Sequence, residues 1–226
     1  MKQEVYNKKF YESRAYGKFN QANLQKSKNW FSGWLRFLDK FLNLKNGRGR
    51  KSLEVGCGFG AISNLLTERG FEAYASDVSP YAVEQAKKLS PAVRFFCFDV
   101  EKNIPLKEKF DFIFAVEVLG HLKNPQKAIR NMYQKLKHNG YLVCSTPQPY
   151  KHYVYSPKML GHINVKNPKE WLVLFQKAGF KKQNLFFKPV SFLPFLYRFH
   201  QQFSLVIPFG LSWSFINSTV FYIARK

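Results

Sequence analysis

The stretch LEVGCGFG, residues 53 to 60, places glycines at alternate positions 56, 58 and 60. Where a strand turns into a helix, missing side chains let a ligand lie against main-chain atoms, so Gly56, Gly58 and Gly60 read as a small-molecule cradle. The G-x-G-x-G spacing differs from the G-x-G-x-x-G that seats a dinucleotide pyrophosphate. Two carboxylates follow, Asp77 after YAS and Asp99 after FFCF, each expected near a strand end. One carboxylate can accept from both vicinal hydroxyls of a ribose, the work expected of Asp77. Asp99 can accept from the exocyclic amine of adenine, with Phe98 or Val78 against a ring face. Asp77 stands before Val-Ser-Pro and could instead only cap a helix. A carboxylate at each of two successive strand ends is nevertheless more than a dinucleotide pattern asks for.

Proton handling has its own candidates. Histidine alone titrates near neutral pH without help, which singles out His121 and His162. In EVLGHL, His121 follows Glu117 by four residues, one turn if the segment is helical, so both would face one cleft.

The elements that must position these residues alternate. Strand patterns in SLEVGCG, EAYASD, VRFFCFD, KFDFIFAVEV and YLVCSTP are separated by helical stretches from about Ala61 to Arg69, over PYAVEQAKKL, and over NPQKAIRNMYQKLK. Pro80 and Pro125 suit first turns, and Gly70 and Gly140 suit helix ends. Apolar strands alternating with helices predict an α/β, doubly wound, Rossmann-like sheet with ligands at the carboxyl edge of its strands. Residues 1–49 form an N-terminal helical extension or lid, residues 50–150 a cofactor-binding core, and residues 151–226 the C-terminal part of the fold. Within 19–44, Trp30, Trp34, Phe37, Leu38, Phe41 and Leu42 recur at helical spacing. An aromatic, basic insertion at about 190–217 precedes a last strand in STVFYIARK; it reads as a lid or as a foot in the bilayer interface.

Charge narrows the partners. The net charge is +22. Residues 1–51 carry 13 basic and 3 acidic residues, residues 52–122 carry 7 and 10, and residues 123–226 carry 16 and 1. A near-neutral centre between basic flanks predicts an anionic partner such as membrane lipid, nucleic acid or a phosphorylated substrate, or only a lysine-rich, well-solvated surface. Cys57, Cys97 and Cys144 lie in apolar runs without a C-x-x-C pair and read as core residues of a reducing compartment. MKQEVYNKKFYESR has charges where a signal peptide needs an apolar run, so the protein is expected in the cytoplasm, possible contact with the inner face of the membrane included.

LEVGCGFG, YASDVSPYAVEQAKK, FDFIFAVEVLGHLKNPQKAIRNMYQKLKHNGYLVCSTPQP and GHINVKNPKEWLVLFQKAGF together resemble class I S-adenosylmethionine-dependent methyltransferases. The likeness covers roughly residues 50 to 182 and is greatest to the branch of quinone-biosynthesis and small-molecule O-methyltransferases. It implies a seven-stranded sheet with the last strand antiparallel, and S-adenosyl-L-methionine as cofactor. Gly56 and Gly58 would lie beside the methionine moiety, Asp77 on the ribose and Asp99 on the adenine. Glu54 would orient the glycine loop or reach the cofactor amino group through water, and Glu117 would lie near the methyl group. Methyl transfer is an in-line displacement at sulfur, needing alignment, exclusion of water and a base for a hydroxyl proton. His121, His162 and Glu117 are then the catalytic candidates.

One departure bears on metals. Some relatives carry E-x-x-E-H where this chain has EVLGH, and there two glutamates and the histidine help bind a divalent ion. Gly120 replaces the second glutamate, so no metal requirement is expected. The expected acceptor is a small or lipid-linked molecule, with an anionic membrane surface as a further partner. Methylation or binding of RNA is the alternative, disfavoured because AVEVLGH stands where base N-methyltransferases hold a flipped base. Two further alternatives are a binding module that lost its chemistry and NAD-linked redox chemistry, the latter disfavoured by the glycine spacing and Asp99.

Overall fold

The computed structural model describes residues 6–12, 17–147, 161–192, 206–207 and 218–226. The chain divides into two units, one ending at Asp99 and the other beginning at Val100.

In the first unit, a helical turn at Lys8–Phe10 precedes α1 (Gln21–Leu38). The Asn20 side chain caps α1 by accepting from the Asn23 N–H at 2.8 Å. Trp34, Phe37, Leu38 and, just past the helix, Leu42 are buried. Most of the apolar stripe legible in the sequence therefore lies in the protein's own core, while Trp30 is half-buried and Phe41 exposed. Leu24 of α1 packs with Phe59 and Ala61, which puts this helix directly behind the glycine loop. Three parallel strands follow in the order β3-β2-β1: β1 (Lys51–Val55), β2 (Glu72–Asp77) and β3 (Arg94–Cys97). Helix α2 (Ala61–Glu68) joins the first two, and α3 (Pro80–Leu89) the second pair. Register pairs Val55 with Ser76 and Asp77 with Cys97, so the glycine loop, Asp77 and the segment leading to Asp99 leave one sheet edge together.

The second unit holds β4 (Phe110–Val116), α4 (Pro125–Lys135), β5 (Leu136–Pro147), α5 (Pro168–Ala178), β6 (Leu185–Phe192), β7 (Val206–Ile207) and β8 (Ser218–Arg225). Its strand order is β4-β5-β8-β6-β7. β4 and β5 run parallel, whereas β8 is antiparallel to both β5 and β6. The expected antiparallel last strand is thus present and lies between two neighbours. The seven expected strands all form, and the two-residue β7 is an eighth, inside the stretch read as an insertion. Apart from Val190–Phe192 and β7, that aromatic insertion lies outside the described residues, and with it the choice between lid and membrane foot. Helix α5 starts with a capping box between Asn167 and Glu170 and buries Trp171 and Phe175 completely.

Three local expectations need correction. Gly140 does not end a helix: α4 stops at Lys135, and Gly140 lies in β5, where a Cβ would come within 2.9 Å of the Phe110 carbonyl oxygen. Asn139, next to it, takes φ 63° where the pairing of β5 with β4 shifts register. Cys97 is exposed, while Cys57 and Cys144 are buried, because β3 is the edge strand of its unit. The Glu117–His121 segment is not one α-helical turn: Glu117 has φ 55°, and only Leu119–His121 forms a 3-10 turn.

Candidate active site

The first unit carries the candidate cofactor residues. Gly56, Gly58 and Gly60 have φ of 69°, 49° and 73°, a left-handed path that side chains rarely take. At Gly60 a Cβ would also meet the Phe95 ring at 2.7 Å. Glu54, buried at the end of β1, accepts from the Ser63 N–H at 2.8 Å in the first turn of α2. Its carboxylate faces the positive end of that helix, yet burial dominates and pushes its pKa up to about 7. This geometry suits the loop-orienting role expected of Glu54.

Asp77 is buried as well. Its Oδ2 accepts from the Gly58 N–H at 3.0 Å, and its Oδ1 accepts from the Ser79 N–H at 3.0 Å and the Tyr11 hydroxyl at 2.8 Å. The cap of α3 is Ser79, whose side chain accepts from the Ala82 N–H, so Asp77 is not the helix cap. Burial raises the Asp77 pKa against these donors. Phe98 N–H donates to the Asp77 carbonyl at 3.2 Å, which ties the Phe98–Asp99 segment beside the end of β2. Val78, Phe98 and Asp99 are half-buried. The chemistry of this edge fits a nucleoside: two carboxylates, an aromatic ring and a glycine turn.

The second unit carries the candidate proton-handling residues. Glu117 leaves β4 in its left-handed conformation, with its N–H donating to Ser145 at the carbonyl (3.2 Å) and at Oγ (3.1 Å). Its Oε1 accepts from Ser145 Oγ and from Thr219 Oγ1, both at 2.7 Å. Burial raises the Glu117 pKa, and the two hydroxyls and His121 oppose that.

His121 and His162 stack, with ring centroids 4.3 Å apart and planes inclined by 26°. His121 Nδ1 lies 3.1 Å from the Gly161 carbonyl oxygen. A carbonyl only accepts, so this contact assigns the proton to Nδ1 and leaves Nε2 as the proton-accepting atom of the ring. Burial, followed by the neighbouring His162, lowers the His121 pKa to about 4. The imidazole is therefore neutral at pH 7. His162 is buried over Gly120, where a Cβ would come within 2.5 Å of its ring. The N–H groups of Ile163 and Asn164 donate to the Gly120 carbonyl at 2.8 and 2.9 Å. The missing second glutamate thus has a physical reason: its side chain would occupy the place of the His162 ring. Among the described residues, no group of three or more His, Cys, Asp or Glu is arranged to hold a metal.

The structure thus brings Glu117, His121 and His162 together, and gathers Glu54, the three glycines, Asp77, Val78, Phe98 and Asp99 on one edge. Sequence reasoning missed Tyr11, Ser145 and Thr219. Ser145 had a signal, since it ends a strand run at the level of Val116. Tyr11 and Thr219 had none.

A methyltransferase-domain family model matches residues 25–185. The fold is that of class I S-adenosylmethionine-dependent methyltransferases. A Thermotoga maritima S-adenosylmethionine-dependent methyltransferase superposes at TM-score 0.63 and 20% identity, covering 92% of this chain and 98% of its own. The magnesium protoporphyrin IX methyltransferase of Synechocystis, with S-adenosylhomocysteine bound, gives 0.62 at 15% identity, covering 99% and 98%.

The chain belongs to the methyltransferase-domain family, within class I. Among curated relatives, the mitochondrial ubiquinone biosynthesis O-methyltransferase of Schizosaccharomyces pombe is 35% identical over 105 residues, 43% of this chain and 38% of that protein. The Coxiella burnetii ubiquinone biosynthesis O-methyltransferase is 30% identical over 127 residues, 54% and 53%. The chain thus spans about half or less of the length of these relatives.

Proposed function

We propose that this protein transfers the methyl group of S-adenosylmethionine to a hydroxyl oxygen of a small or lipid-linked acceptor, with His121 as the base. The observation that carries the reading is the His121 ring, oriented through Nδ1 by Gly161 so that Nε2 is left to take the hydroxyl proton. Glu117, within electrostatic reach of His121, favours the imidazolium that forms. His162 stacks on the ring and limits its rotation.

In the first unit, Asp77 would hold the ribose, Asp99 the adenine amine and Phe98 or Val78 a ring face. Gly56, Gly58 and Gly60 would let the methionine moiety approach the backbone. The cofactor supplies an electrophilic methyl on a sulfonium, whose positive charge vanishes as the methyl leaves. The protein's part is alignment, exclusion of water and removal of one proton.

Likeness to ubiquinone biosynthesis O-methyltransferases favours an acceptor with a ring hydroxyl, of the quinone-precursor type. The basic flanks favour work at an anionic membrane surface from the cytoplasmic side. Most of the apolar stripe of α1 is buried, so the membrane part of the reading rests on charge and on the aromatic residues 190–217. No helix among the described residues is long and apolar enough to cross a membrane.

Two binding experiments test this reading. Calorimetry should show S-adenosylhomocysteine binding that Asp77→Ala weakens at least about tenfold, as loss of a charged hydrogen-bond acceptor would. No binding by the unaltered protein would defeat the cofactor assignment. Flotation with anionic but not neutral vesicles at low salt is expected, and failure to float would remove the membrane surface while leaving the enzyme reading intact.

A further inference from the structure

Asp77, the carboxylate assigned to the ribose, already holds three donors. A carboxylate offers about four lone-pair positions. The N–H groups of Gly58 and Ser79 and the Tyr11 hydroxyl take three of them. Two of these three donors are main-chain groups of the glycine loop and of the turn into α3, fixed by the fold. Only Tyr11 reaches in from a distant segment, 66 residues away in sequence. With Tyr11 in place, Asp77 is 4% exposed, closed to any ribose.

We propose that the Tyr11 hydroxyl stands in for a ribose hydroxyl on Asp77, and that the cofactor must displace it to bind. The inference rests on the assignment of Asp77 to the cofactor ribose. Tyr11 follows the helical turn Lys8–Phe10. Its ring meets Phe10 and Phe19 edge-on at 5.3 and 5.8 Å, and the next residue, Glu12, accepts from the Tyr81 hydroxyl at 2.6 Å. These ties let the segment dock when the site is empty and release when a ribose competes. The segment therefore screens ligands: one without ribose hydroxyls gains nothing at Asp77 that would offset the loss of Tyr11.

The test compares the unaltered protein with Tyr11→Phe, which keeps the ring and its packing and removes only the hydroxyl. Binding is measured by calorimetry for S-adenosylhomocysteine and for its 2′,3′-dideoxy analogue. The variant is expected to bind S-adenosylhomocysteine about threefold to tenfold more tightly, the range set by one net hydrogen bond. The dideoxy analogue must displace Tyr11 as well, so the variant should gain by a similar factor for it, while both proteins bind that analogue more weakly than S-adenosylhomocysteine. Equal or weaker binding of S-adenosylhomocysteine by Tyr11→Phe would overturn the displacement, while the cofactor assignment would stand on the binding itself. Absence of binding to both proteins would overturn the cofactor assignment and the displacement with it.

Discussion

Thr219 donates its hydroxyl to Glu117 Oε1 at 2.7 Å although 102 residues separate them, and Ser145 donates to the same oxygen at the same distance. Two strands thus hold a carboxylate whose own backbone sits at φ 55°. A non-glycine residue in that region carries strain that surrounding contacts must hold in place, a pattern that concentrates at functional sites.

Thr219→Val and Ser145→Ala should each destabilise the fold by about 1 to 3 kcal/mol, the cost of leaving a buried acceptor with one donor fewer. Both hydroxyls lower the Glu117 pKa, so they favour the ionised form. Their loss should therefore cost more at pH 8 than at pH 5. Denaturant unfolding at the two pH values checks the difference, and a pH-independent cost would mean that the hydroxyls do not act on the carboxylate.

Glu54 gives a prediction of its own. Its folded-state pKa of about 7 lies above the ordinary glutamate value of 4.5. The folded state therefore holds a proton that the unfolded chain has released, and stability contributed by neutral Glu54 is full below pH 4.5 and lost as pH rises to about 7. Across that window the loss is on the order of 3 kcal/mol. Glu54→Gln removes this dependence, so its stability relative to the unaltered protein should improve between pH 5 and pH 8. A constant difference would contradict the raised pKa.

How much of this was legible beforehand differs by residue. Gly56, Gly58, Gly60 and Asp77 could be read because a left-handed turn and a strand-end carboxylate leave local signatures. The helices over 80–89 and 125–135 could be read because Pro80 and Pro125 mark their starts. The capping alternative for Asp77 fell only when the Ser79 hydrogen bond was seen. The relation of Glu117 to His121 was mistaken because four-residue spacing implies one face only in a helix, and φ at Glu117 breaks that premise. Tyr11 and Thr219 act through contacts across long sequence separations, which a single sequence does not record.

Gly120 offers a third prediction. Gly120→Glu would restore the E-x-x-E-H pattern in sequence, but its Cβ would collide with the His162 ring. The variant should be destabilised by roughly 1 to 3 kcal/mol, as overpacked sites are, and should gain no affinity for a divalent ion. Calorimetric titration with magnesium and zinc, beside a melting curve, checks both halves. Tight metal binding at unchanged stability would show that His162 yields its place freely.

The measurement that bears most directly on the account is methyl transfer itself. Purified protein is incubated with methyl-labelled S-adenosylmethionine and a cell extract, and the label is followed into lipid-extractable, aqueous small-molecule and nucleic-acid fractions, with His121→Asn in parallel. The account predicts label on a hydroxyl oxygen of a lipid-extractable or small-molecule acceptor, strongly reduced by His121→Asn. Label in nucleic acid, or transfer that His121→Asn leaves unchanged, would contradict it.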